Sequence, residues 1–260
     1  MSTLSNASIT VQDHFIVRKA GLMKPFFWLI RGWQDLLQYP GISISYGAMI
    51  SAMGVVIMVF ASNHVYLIAA AISGFLLVGP FLSIGLLELS RQQDHGKALS
   101  FEDSLAVLVS KKIPLKHFAI TLLAISFFWF IVSGLVLFVM YGNITPSIQD
   151  SLWGGFLEMV TPQQVALYLV VGGILAGIVF VLSAVSIPAI IDSQVTALDA
   201  MLLSIKVVLT NLPIMIVWAG LILILTIIAF SSYLLGMIII YPLLGHATWH
   251  AYRDLVEVKN

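Results

Sequence analysis

Tyr241-Pro-Leu-Leu-Gly-His-Ala-Thr-Trp-His-Ala-Tyr-Arg-Asp254 runs from apolar sequence into charged sequence. His246 and His250, four apart, share one face of a helix, and Arg253 lies a turn further along it. An earlier stretch has the same form: Gly79-Pro-Phe-Leu-Ser-Ile-Gly-Leu-Leu-Glu-Leu-Ser-Arg91. Both read as an apolar helix with a proline inside it, ending in polar groups. Composition says what surrounds such helices. The chain has 260 residues, 60% hydrophobic and 9% charged, where soluble chains carry about 25% charged residues. With a mean hydropathy of +1.04, the main solvent is lipid, and a bilayer is the first partner implied. The formal net charge is zero, so no nucleic acid is implied. There is no cysteine, which excludes a disulfide framework, a thiolate nucleophile and an iron–sulfur site.

Outward from that stretch, apolar windows give six spans, at 42–61, 65–89, 118–141, 165–191, 213–230 and 234–250. Each is long enough to cross a hydrocarbon core about 30 Å thick. The expected fold is all-α: six transmembrane helices in a single membrane domain, 26–256, between a cytosolic N-terminal tail, 1–25, and a short C-terminal tail, 257–260. One kinked helix over 213–250 competes with two spans, but about 40 apolar residues is roughly twice one crossing. All twelve Lys and Arg fall in segments that six spans place on one side. The positive-inside rule makes that side the cytosol, with both termini there. Before the first span, Phe26, Leu29, Ile30, Trp33, Leu36 and Leu37 alternate with Arg31, Gln34, Asp35 and Gln38 at helical spacing. This predicts an amphipathic interfacial helix carrying Trp28, Trp33 and Asp35, at the headgroup level or packed on the bundle end.

Prolines punctuate the chain in a pattern. Pro40, Pro114 and Pro213 stand at the start of odd spans, and Pro80, Pro188 and Pro242 near the end of even ones. The pattern suggests three repeated helical hairpins, each led by a surface segment, and membrane repeats often meet at a working site. Aligned on the exit prolines, Ile84, Asp192 and His246 stand four residues on, Glu88, Thr196 and His250 eight on, and Arg91, Asp199 and Arg253 eleven on. Those offsets follow one helical stripe. They predict a polar cluster of Glu88, Arg91, Asp192, His246, His250 and Arg253, with Glu88 facing His250. Charges beside spans are costly and so are functional candidates. Ion pairs that fix helix ends are the competing structural reading. His246 and His250 are the candidate metal ligands, but no third ligand follows from the pattern and no zinc-protease motif is present, so no metal or cofactor is predicted.

With these motifs, together with Gly32-Trp33-Gln-Asp35 and Trp218-Ala, the chain resembles the bacterial integral membrane family named domain of unknown function 2189 over about Arg31–Val256. The resemblance implies a multi-span inner-membrane protein and brings no catalytic residues with it. Three function classes remain open: an accessory or assembly protein that binds another membrane protein, a small transporter or channel, and a metal-dependent membrane enzyme. Few polar groups deep in the spans weigh against transport, and the missing third ligand weighs against the enzyme.

Overall fold

The computed structural model describes residues 15–61, 82–96, 100–141 and 161–259. Most of the predicted second span, Pro80 and the segment 142–160 lie outside the described residues. In chain order the elements are β1 (Phe15–Val17), α1 (Lys24–Gln38), α2 (Pro40–Ala61), a helix over 82–94 called α3, α4 (Phe101–Ser110), α5 (Lys112–Tyr141), α6 (Pro162–Ser183), α7 (Ser186–Asp192), α8 (Ala197–Thr210), α9 (Leu212–Ser231), α10 (Met237–Leu255) and β2 (Val256–Val258). Among the described residues the fold is all-α apart from one small ribbon. Four stretches of the described residues are long and apolar enough to cross a membrane: Pro40–Ile57, Lys112–Val136, Leu169–Asp192 and Leu212–Ser231. Their outer faces carry Phe127, Leu135, Leu169, Ile174, Leu223 and Ile227, all exposed. Side chains of that kind gathered over whole helices need lipid around them.

Three shorter helices lead into three of the long ones. Helix α1 precedes α2, α4 precedes α5 and α8 precedes α9, each joined through one residue: Tyr39, Lys111 or Asn211. The joints share a conformation, with φ/ψ of −125°/58°, −106°/20° and −120°/32°. At each, the backbone N–H still bonds four residues back, to the carbonyls of Asp35, Val107 and Val207. A proline then sits in the first turn of α2, α5 and α9, where its missing N–H costs nothing. The starts of α4 and α8 are capped by Ser100 and Thr196, whose hydroxyls accept the N–H of Asp103 and Asp199.

The exit prolines act differently from one another. Pro188 has no N–H for the carbonyl of Ala184 and crowds it, and the chain breaks between α6 and α7 at that point. Serines take up the freed backbone groups: Ser204 Oγ donates to Val181 O at 2.7 Å and accepts from Val185 N at 3.4 Å. Ser186 Oγ donates to Leu182 O at 2.5 Å. Pro242 leaves α10 continuous. The carbonyl it deprives, that of Ile238, lies against Gly47 of α2, where a Cβ would collide with it. Between α9 and α10 the chain turns through Tyr233 and Leu234, at φ 53° and 69°. These are therefore two separate helices and not one kinked rod.

The starts of α2, α5 and α9 and the ends of α3, α7 and α10 gather at one end of the bundle. Trp249 Nε1 donates to Asp94 Oδ2 at 2.8 Å, Lys111 Nζ to Ser193 O at 2.7 Å, and Ala20 N to Asn211 Oδ1 at 3.2 Å. Residues 15–17, within the predicted tail, form β1 and pair antiparallel with β2, Phe15 opposite Val258 and Val17 opposite Val256. Phe15 and Val256 enter the main core with Trp28, Trp218, Trp249 and Tyr252. The largest core thus lies at this end.

Candidate functional site

The C-terminal half of α10 is the centre of the site, and α1 runs along it. Their contact is close because Gly32 has no side chain: a Cβ there would come within 2.7 Å of Ala247 N and 2.8 Å of Leu243 O. Beside that contact, Asp35, buried to 4% exposure, meets two partners. Ser90 Oγ of α3 donates to Asp35 Oδ2 at 2.5 Å, and His250 Nε2 lies 2.9 Å from the same oxygen. His246, with no exposed surface, holds Ser90 Oγ at 2.7 Å through Nδ1 and Ser43 Oγ of α2 at 3.0 Å through Nε2. Since Ser90 gives its proton to Asp35, it receives one from His246 Nδ1–H, and Ser43 then donates to Nε2. The chain Ser43–His246–Ser90–Asp35–His250 is a directed relay ending on one carboxylate. It ties four helices together, and both ring nitrogens of His246 are engaged. Among the described residues, no three His, Asp or Glu side chains converge as a metal-ligand set.

The predicted stripe divides into two groups. His246 and His250 share a face, as their spacing requires, but their acid is Asp35 and not Glu88. Glu88 is buried at 4% and bound within its own helix: Arg91 Nε and Nη2 reach its two oxygens at 2.8 Å each, and Gln92 Nε2 adds 2.6 Å. Ser90, two residues on, faces nearly the opposite side of α3, so one helix serves both groups. In the second group, Asp192 accepts from Tyr252 Oη at 3.0 Å and lies 3.9 Å from Arg253 Nη1. Arg253 Nε is 3.7 Å from Asp94 Oδ2, and the guanidinium carbon is 6.0 Å from the Trp249 ring centre. Because α7 stops at Asp192, Thr196 and Asp199 fall on the next helix and bond each other at 2.7 Å, away from the cluster.

Trp28 and Trp33 part company. Trp28 is fully buried, packs edge-on against Trp218 with ring centres 5.6 Å apart, and donates Nε1 to Asp254 Oδ2 at 2.9 Å. Lys24 reaches the same oxygen at 3.0 Å, and Arg31 the other at 3.5 Å. Burial pushes the Asp254 carboxyl up, but these donors and charges outweigh it and hold it below the usual carboxylate value. Trp33 is exposed, with Phe26, Phe27, Ile30 and Leu37, on a face of α1 that no described element covers. Asp35 belongs to the buried face because it has partners there.

Beyond the end of α10 opens a cleft of 460 Å³, lined by Arg18, Arg91, His95, Asp192, Arg253 and strand β2. The Glu88 carboxylate raises the Arg91 guanidinium above its usual pKa, against burial. Lys111, nearby, is lowered by burial and then by the charge of Arg91. Tyr252 is raised by burial and by Asp192 and stays a neutral donor. Ser43, Ser90, Asp94 and Tyr252 were not singled out in the sequence. Lone hydroxyls in apolar helices carry no pattern, and only the fold brings them to the histidines.

No curated protein and no solved structure matches the chain. Residues 67–192 match the family model described as Predicted integral membrane protein (DUF2189). That segment includes α3–α7, with Glu88, Ser90, Arg91 and Asp192 of the site, and leaves α1 and α10 beyond it. With helices long and apolar enough to cross a bilayer several times, the chain is a multi-pass integral membrane protein, and its residues 67–192 are similar to the DUF2189 family of predicted integral membrane proteins.

Proposed function

We propose that the chain is a non-enzymatic accessory or assembly protein of the bacterial inner membrane, with six spans, both termini in the cytosol, and one membrane domain over 26–256. The observation that carries this reading is the closure of the buried polar groups on one another. Asp35, His246, Ser43 and Ser90 are engaged by neighbours from four helices, an arrangement that fixes helix ends. A reacting centre instead needs a nucleophile or base aimed into open space. The six-span count draws support from the gathering of three helix starts and three helix ends on one side. It is also supported by the Lys and Arg, none of which lies between Arg31 and Arg91, Lys116 and Lys206, or Lys206 and Arg253. The three alike joints at Tyr39, Lys111 and Asn211 favour the threefold repeat. In this reading the repeated unit is the surface helix and the span that follows, more than the exit prolines.

Purification of the tagged chain from native membrane in mild detergent tests the reading. A membrane protein should accompany it at fixed stoichiometry, and the purified chain should carry no stoichiometric metal. Substrate flux in proteoliposomes without any partner would replace this reading with a transporter. A bound metal lost in both His246→Ala and His250→Ala would replace it with an enzyme.

A further inference from the structure

We propose that the cleft between the ends of α3, α7 and α10 and the β1/β2 ribbon is a binding site for a small phosphate-type oxyanion, gripped by Arg253 with Arg18 and Arg91 at its sides. The argument rests on which donors in the cleft are already engaged. Arg91 commits Nε and Nη2 to Glu88, and Arg18 commits Nε and Nη2 to Glu257, at 2.7–3.1 Å. Arg253 is different. Its nearest carboxylate oxygens are 3.7 and 3.9 Å away, close enough to attract but too far to hydrogen-bond. Asp192 is turned toward Tyr252, whose hydroxyl it accepts at 3.0 Å. The Arg253 guanidinium is thus held in place, beside the Trp249 ring and between two acids, with its N–H donors unmatched and its side chain 48% exposed to the cleft.

A planar fork of donors is what a phosphate takes in two-point contact. The remaining N–H groups of Arg91 and Arg18 supply further donors from either side. Formal charge around the cleft is balanced: Arg18, Arg91, Arg253 and Lys111 offset Glu88, Asp94, Asp192 and Glu257. Recognition therefore comes from the shape of the fork and not from a broad positive field, and the affinity expected is modest. The same oxyanion is carried by an anionic lipid headgroup and by a soluble phosphate compound, and a cleft beside the ends of spanning helices is within reach of both.

The test uses the full chain and two probes. In nanodiscs of phosphatidylcholine, pyrophosphate is titrated calorimetrically. In detergent, thermal stabilisation by phosphatidylglycerol is compared with that by phosphatidylcholine. Saturable pyrophosphate binding assigns a soluble ligand, and stabilisation by phosphatidylglycerol alone assigns a headgroup. In either case Arg253→Gln should weaken binding by about tenfold or more. Asp192→Asn should strengthen it by removing a competing carboxylate, and Arg31→Gln, bound elsewhere to Asp254, should leave it unchanged. If neither probe binds saturably, or Arg253→Gln weakens binding no more than Arg31→Gln, the site is overturned. Should Arg253→Gln fail to fold, Asp192→Asn decides, and no strengthening there overturns the site equally. None of these results depends on whether a protein partner co-purifies, so the two proposals fail separately.

Discussion

Asp35 is the residue on which the buried network depends, because two donors end on one of its oxygens. Removing it strands both in a nearly dry interior. Asp35→Asn and His250→Gln should each cost about 1–3 kcal/mol, the usual penalty for an unsatisfied buried partner. The double variant should cost less than the sum, with about 1 kcal/mol or more of coupling. Denaturant or thermal unfolding in detergent measures all three, and strict additivity would refute the pairing. Asp35 was legible in the sequence only as a polar position on an amphipathic helix. Its acidity pointed to water or headgroups, and its histidine stands 215 residues away. The stripe of His246, His250 and Arg253 was legible because it lies within one helix. Which acid each would meet was not, since Arg91 at i+3 takes Glu88 before any other helix can.

At the scale of the element, long apolar runs were easy to place. Predicted 118–141 and 213–230 fall inside α5 and α9, and 42–61 inside α2. The broken fourth span shows what periodicity misses. Pro188 near an end suggested only an exit, yet it divides α6 from α7 because Ser204 and Ser186 are there to satisfy the opened backbone. At Pro242 the deprived carbonyl, that of Ile238, lies where a Cβ on α2 would collide with it, so Gly47 lets α2 approach this point of α10. Gly47→Ala would push α2 away from α10. The expected cost is about 1–3 kcal/mol, as for overpacking of a tight contact, read as a lower thermal midpoint in detergent. An unchanged midpoint would mean that the two helices can part without loss.

For the whole molecule, the grouping of the Lys and Arg along the chain makes a checkable statement about threading. The chain lacks cysteine, so single replacements can be labelled without background. An impermeant thiol reagent added to spheroplasts should label Ser147→Cys and spare Glu102→Cys, and the reverse pattern would invert the topology. The ribbon of β1 and β2 and the lodging of α1 on α10 have a further consequence, in time. Asp35 is made early and His250 late, 215 residues apart. At about 5–20 residues per second of synthesis, roughly 10–40 s pass between them. During that interval Gly32 lacks the α10 backbone it packs against and Asp35 has Ser90 but not His250, while Phe26, Ile30 and Trp33 on the other face of α1 already suit a bilayer surface. Helix α1 leaves the ribosome well before α10 and completes its contacts only when α10 arrives, so an insertion machinery handling this chain must tolerate an aspartate that waits for its histidine.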